Sequence, residues 1–140
     1  MDFMQIKDQE QKNIMPTYGR FDVALVLGKN ATAYDYNGTP YIDFTSGIGV
    51  NSLGYCDEEW VEAVAKQAST LQHISNLYYS PVQTKLAEKL CEMSGYSKVF
   101  FGNSGAEANE CAIKVARQYS AEKYSPDRYE IITLKNSFHG

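Results

Sequence analysis

Residues 102–107 read Gly102-Asn103-Ser104-Gly105-Ala106-Glu107, a stretch of small and hydrogen-bonding residues set between the β-prone run Lys98-Val99-Phe100-Phe101 and a helical stretch. A turn that opens a helix presents unpaired backbone N–H groups and the positive end of the helix dipole, and an anion such as phosphate fits there. Gly105 removes the side chain that would block close approach, Ala106 keeps the first turn small, and Ser104 and Glu107 stand at capping-box spacing. On spacing alone an ordinary capped helix fits equally well. The stretch also lacks the GxxxxGK[ST] and GxGxxG patterns of nucleotide binders.

Such a turn needs elements to hold it. Ala108, Cys111, Ala112, Val115, Ala116 and Tyr119 line one face of the helix that follows. After the polar break Ser125-Pro126-Asp127, the run Glu130-Ile131-Ile132-Thr133-Leu134 reads as a buried strand. Strand, helix and strand make a βαβ unit with a right-handed parallel crossover, whose ligand site lies outside the carboxyl ends of the strands.

Upstream, Ser80-Pro81-Val82-Gln83 combines an N-cap serine, a proline at the first helical position and a capping-box glutamine, and the helix it opens is expected to end at Gly95. Asp57 is placed to cap an earlier helix, with Glu58 and Glu59 in its first turn. Its stripe Trp60, Val61, Val64, Ala65, Ala68 and Leu71 reads as core. The aromatic and β-branched residues between Ala31 and Phe44 flank Asn37-Gly38, which predicts a hairpin. Between Thr45 and Gly54, three glycines in ten residues suit a plain loop or a close backbone approach. Residues 1–13 read as a mobile or helical arm. In the connector Ser75-Asn76-Leu77-Tyr78-Tyr79, packing, ligand and subunit-contact roles for the tyrosines are not separated by the sequence.

The chain has 140 residues, 44% of them hydrophobic, and suits one globular domain or part of one. A formal charge of -4 without a Lys/Arg block gives no footprint for nucleic acid. No apolar run approaches the roughly 20 residues that span a bilayer, and the first residues hold no signal-peptide core, so no membrane partner is expected and the cytoplasm is the expected compartment. Cys56, Cys91 and Cys111 are odd in number and widely spaced, which predicts buried free thiols and no metal site.

Phe101 to Glu110, with Ser137-Phe138-His139-Gly140 after the next strand, resembles the class III pyridoxal-phosphate-dependent aminotransferases, the acetylornithine branch most of all. The likeness continues through Tyr18-Gly19-Arg20, Tyr41-Ile42-Asp43-Phe44, Ser46 to Asn51 and Ser75 to Tyr79, in family order, and covers nearly all of the chain after residue 15. It implies an α/β fold, the N-terminal part of a fold-type I transferase. An arm and hairpin segment at 1–54 would precede the start of the large cofactor domain at 55–140, with its parallel or mixed sheet and flanking helices. It also implies pyridoxal 5'-phosphate as cofactor, with Gly105 and Ala106 holding its phosphate, Ser104 beside them, and Phe138 stacked on the pyridine ring. His139 is read as structural. Tyr18 matches a position near the substrate entrance, and Ile48 stands where δ-ornithine enzymes carry a tyrosine.

The same resemblance implies an amino-acid donor, 2-oxoglutarate as acceptor and a homodimer, in which Ser46 to Asn51 and Asn76 to Tyr79 serve the partner's site. For an acetylornithine enzyme the reaction moves the terminal amine of N-acetylornithine to 2-oxoglutarate within arginine biosynthesis. Succinylornithine, 4-aminobutyrate or ornithine is the alternative donor, and a non-catalytic phosphate-binding module is the reading from another class. The family's Schiff-base lysine lies beyond Gly140, so no catalytic residue is expected in this chain, which reads as an inactive N-terminal fragment with exposed apolar sheet edges.

Overall fold

A computed structural model describes residues 2–140, which divide into two compact units, 2–73 and 74–140.

The first unit opens with helix α1 (Phe3–Asn13). Asp2 caps it by accepting from the Gln5 backbone N–H at 2.9 Å, and the Gln5 side chain accepts in return from the Asp2 N–H at 3.0 Å, a complete capping box. Of the two expected states of the arm, helix is the one observed. Strands β1 (Leu25–Lys29), β2 (Thr32–Asp35) and β3 (Pro40–Ile42) follow as an antiparallel sheet in that order, with a register irregularity between Leu25 and Leu27. The predicted hairpin is β2–β3, and β1, unmarked in the sequence reading, adds a third strand. Its connection is a three-residue loop of Tyr36, Asn37 and Gly38, bracketed by Asp35 N–H donating to the Thr39 carbonyl at 3.1 Å. Only Gly38 takes a positive φ (80°), so this is a type I turn closed by a left-handed glycine and not the two-residue form that Asn-Gly also serves.

Asn30, at φ 52°, turns the chain from β1 into β2, and its backbone exchanges hydrogen bonds with Tyr55 at 2.9 and 2.7 Å. The Tyr55 ring covers Gly28, where a Cβ would meet ring carbons at 2.5 Å, so this strand position requires glycine. The glycine-rich segment contains a single turn, α2 (Ser46–Gly49), with four successive positive φ values: Ser46 50°, Gly47 60°, Ile48 62° and Gly49 82°. Left-handed backbone is costly for a β-branched residue such as Ile48. Helix α3 (Glu58–Thr70) is capped by Asp57, which accepts from the Trp60 N–H at 2.9 Å.

The second unit holds α4 (Pro81–Ser94) and α5 (Gly105–Lys123). Ser80 caps α4 through the Gln83 N–H at 3.3 Å, and Gly95 ends it in the left-handed conformation at φ 75°, both as the sequence predicts, but the Gln83 side chain does not return a bond to the Ser80 N–H, so the expected capping box is only half formed.

Three expectations are corrected. Lys98–Phe101 and Glu130–Leu134 flank α5 but form no paired strand, and the only sheet among the described residues is the antiparallel one. A helix closes its hydrogen bonds within itself, whereas a strand exists only beside a neighbour; neither run has one here. For the same reason the apolar stripe of α3 is not core: Trp60, Val61, Val64 and Leu71 are exposed, and Ala33 is the one buried hydrophobic residue among those described. The cysteines are free, as expected, but Cys56 is exposed and Cys91 and Cys111 are half-buried.

Candidate functional site

The turn before α5 is organised by one carboxylate. Glu107 accepts from the Asn103 backbone N–H at 2.5 Å, from the Asn103 side-chain amide at 3.2 Å and from the Ser104 hydroxyl at 3.4 Å. The Ser104 hydroxyl oxygen accepts in turn from the Glu107 N–H at 3.2 Å. The predicted capping pair is thus half realised: serine caps the helix as the spacing requires, while the glutamate reaches the amide of Asn103, one residue earlier than a capping box places it. These donors, the Asn103 side chain first and its backbone amide second, hold the Glu107 carboxyl below its usual range.

Because Glu107 is drawn back toward Asn103, the Ser104 amide goes without its capping-box acceptor, and the next two amides, first in the helix, have no intrahelical partner. Among the described residues the N–H groups of Gly105 and Ala106 find no acceptor, and they open a helix of 19 residues. Two adjacent free donors, a glycine, an alanine and the positive end of a long helix form the donor set a phosphate monoester requires. The residues present therefore fit the phosphate of pyridoxal phosphate.

Ser137 to Gly140 is brought to the same turn. Gly140 lies so close that a Cβ on it would collide with the backbone of Gly105 and Ala106, and a Cβ on Gly105 would stand 3.1 Å from the Gly140 Cα. Gly140 also has φ 94°, so geometry and space both require glycine there. The Asn109 side-chain amide donates to the His139 carbonyl at 2.6 Å, and the Glu110 carboxylate stands 3.3 Å from His139 Nε2.

The structure thus brings Ser104, Gly105 and Ala106 into one turn and delivers the backbone of the Phe138 segment to it. The Phe138 ring is 92% exposed and covers nothing among the described residues. Tyr18 belongs to the first unit and is 77% exposed. It lines a groove of about 490 Å³ between α1 and residues 14–26, together with Phe3, Ile6, Arg20 and Phe21.

Sequence reasoning missed Asn109. A polar residue in the first turns of a helix carries no signal of a partner 30 residues away. It also missed Asp43, which accepts from the Thr45 N–H and hydroxyl (both 2.7 Å), the Ser46 N–H (3.0 Å) and the Tyr55 hydroxyl (2.8 Å), and so holds the entrance to α2. Thr45, Tyr55 and the two amides keep its carboxyl down at about 2. Asp-x-Thr at the end of a strand could have signalled this turn. Among the described residues there is no cluster of His, Cys, Asp and Glu able to hold a metal, and no helix is long and apolar enough to cross a membrane.

A family model described as aminotransferase class-III matches residues 14–140. An acetylornithine aminotransferase of Haemophilus ducreyi is 54% identical over 136 residues, 97% of this chain and 35% of its own length. One from Methanocaldococcus jannaschii is 52% identical over 133 residues, 95% of this chain and 33% of its own. Among solved structures, the N-acetylornithine aminotransferase of Stenotrophomonas maltophilia superposes with a TM-score of 0.80 at 37% identity, covering 95% of this chain and 35% of that one. The ornithine δ-aminotransferase of Plasmodium falciparum gives 0.82 at 28%, covering 88% and 32%. The chain spans about a third of the length of these relatives. The fold is accordingly the N-terminal part of the fold-type I transferases, to which its helices and small antiparallel sheet conform.

Proposed function

The chain belongs to the class III aminotransferase family, and from that premise we propose that the whole subunit moves the terminal amine of N-acetylornithine to 2-oxoglutarate with pyridoxal 5'-phosphate as cofactor. The observation that carries the donor is the run of acetylornithine relatives at 54% and 52% identity over nearly all of this chain. The free Gly105 and Ala106 amides support the cofactor.

Pyridoxal phosphate, when bound, supplies the electron sink that lets an amino group pass between carbon skeletons. In this reading the Gly105 and Ala106 amides, with Ser104 beside them, hold its phosphate against the α5 dipole. Phe138 offers a flat apolar face to the ring, consistent with an aromatic side chain left almost wholly exposed. Tyr18 borders the substrate entrance. Residues 55–140 begin the cofactor domain, with the arm and hairpin before it. The lysine that carries out the transfer belongs to a part of the subunit beyond Gly140.

The subunit works as a homodimer. The strained turn at α2 supports this, because it projects Ile48, 96% exposed, from a backbone an isoleucine adopts only at a cost. Ser46 to Asn51 and Asn76 to Tyr79 would then serve the partner's site.

The ornithine-type neighbour sustains a second reading in which free ornithine is the donor. Glutamate formation from 2-oxoglutarate, measured with the whole subunit and N-acetylornithine, succinylornithine, 4-aminobutyrate or ornithine, separates them. The highest kcat/KM is expected with N-acetylornithine. A preference for ornithine selects the second reading, and no transfer from any donor rejects both.

A further inference from the structure

We propose that Asn109 is a positioning residue that fixes the cofactor's ring wall to its phosphate cradle. The inference rests on the functional reading above and names a residue to which that reading gives no part.

The cradle and the ring wall come from sequence segments about thirty residues apart, and a ring held at the wrong distance from its phosphate is misplaced for chemistry. What sets that distance is a register between α5 and residues 137–140. Backbone packing of Gly140 on Gly105 and Ala106 brings the two together but is not directional. Direction comes from Asn109, whose amide lies one helical turn beyond Gly105 and donates to the His139 carbonyl at 2.6 Å. His139 follows Phe138 in the chain, so the bond holds the His139–Gly140 peptide, one residue from the Cα that carries the aromatic ring.

Glu110 adds a weaker tether on the same segment. Its carboxylate stands 3.3 Å from His139 Nε2 and 3.9 Å from Lys114 Nζ, and both the His139 and Glu110 side chains are more than half exposed. An exposed pair of this kind contributes little. The Asn109 bond is also exposed, but at 2.6 Å it is the shorter contact and the one made to the backbone next to Phe138.

The experiment uses the whole subunit with pyridoxal phosphate and three binding readouts besides activity: the dissociation constant of the cofactor, the visible circular dichroism of the bound cofactor, and the dissociation constant of inorganic phosphate for the cofactor-free protein. Phosphate reads the cradle alone; the dichroism reads ring placement. Asn109→Ala is expected to weaken cofactor binding about fivefold, the net weight of one exposed hydrogen bond, and to change the dichroism amplitude while phosphate binding stays within about twofold. Asn109→Gln, which keeps the amide, is expected to recover part of both.

Equal weakening of phosphate and cofactor by Asn109→Ala would overturn the proposal, because the residue would then only stabilise the helix end. Unchanged cofactor affinity and dichroism would overturn it too. Phe138→Ala and Gly105→Val tell the two levels apart: if they weaken cofactor binding while Asn109→Ala does not, the positioning role fails and the functional reading stands. If neither does, both fall.

Discussion

The hairpin unit and the turn before α5 are built with the same device, a carboxylate that gathers nearby backbone amides, and they end in opposite states. Asp35 accepts from the Asn37 and Thr39 amides, both at 2.8 Å, and so ties down the β2–β3 loop. Asp43 does the same for Thr45 and Ser46. Glu107 instead reaches back to Asn103, and the two amides that follow Ser104 are left without an acceptor. The two aspartates close loops whose amides they take up, whereas Glu107 steadies the residue before a 19-residue helix whose first amides no carboxylate reaches. The first arrangement finishes a structure, and the second is the helix end at which we propose an anion binds.

The contrast is broken most severely at the glycine pair. In the whole subunit, Gly140→Ala is expected to reduce pyridoxal phosphate affinity by about 100-fold, since the new Cβ must displace the Gly105–Ala106 backbone and a positive φ must be held by an L residue. Isothermal titration with the cofactor measures it, and affinity within threefold of the parent would show that the segment is not fixed against the cradle.

A smaller effect is expected at Glu107. Glu107→Ala leaves the Asn103 amide without its acceptor and lets the turn open, so cofactor affinity should fall by about five- to tenfold. The same titration after Asp35→Asn, which loosens only the β2–β3 loop, should show no change. If the Asp35 variant weakened the cofactor as much as the Glu107 variant, the division between a structural carboxylate and a site-forming one would fail.

Asp43 has its own signature in acid. Its folded-state value is depressed from 3.8 to about 2, so the stabilisation is fully present above 3.8 and is lost as pH falls through about 2. The melting temperature of the parent should exceed that of Asp43→Asn by a few degrees at pH 5, and the gap should close between pH 4 and 2. A gap independent of pH would mean that the carboxylate acts by shape alone.

How much of this could be read from the sequence follows from the range of each interaction. Capped helices were legible because Asp57, Ser80, Gly95 and Ser104 act within four residues of their partners, and all of these caps stand where the spacing put them. The β2–β3 hairpin was legible for the same reason, through Gly38. The runs at 98–101 and 130–134 carry β-prone residues yet form no strand, because a strand's identity depends on a neighbour that its own residues do not encode. The residues proposed as the cradle are visible as a capped helix start, and family likeness, not spacing, is what favours that reading over an ordinary cap. The contact from Asn109 to His139 and the direction in which Glu107 turns were not visible, since both depend on where the chain returns.

The smallest effect sharpens the comparison most finely, because it sets glycine against glycine. Gly38 has φ 80° but nothing within 4 Å of the position a Cβ would take, so its requirement is conformational alone. Gly38→Ala should therefore cost only about 1 kcal/mol, read as roughly fivefold faster hydrogen exchange at the Asp35 and Gly38 amides that bracket the loop. Gly38→Asn should recover about half of that, because asparagine tolerates the left-handed region better than other residues. The same asparagine at position 140 should recover nothing, since there the obstacle is the backbone of Gly105 and Ala106 and not φ alone. Recovery by asparagine at both positions would mean that Gly140, like Gly38, only turns the chain, and that the close approach to the α5 turn is incidental to holding a ligand.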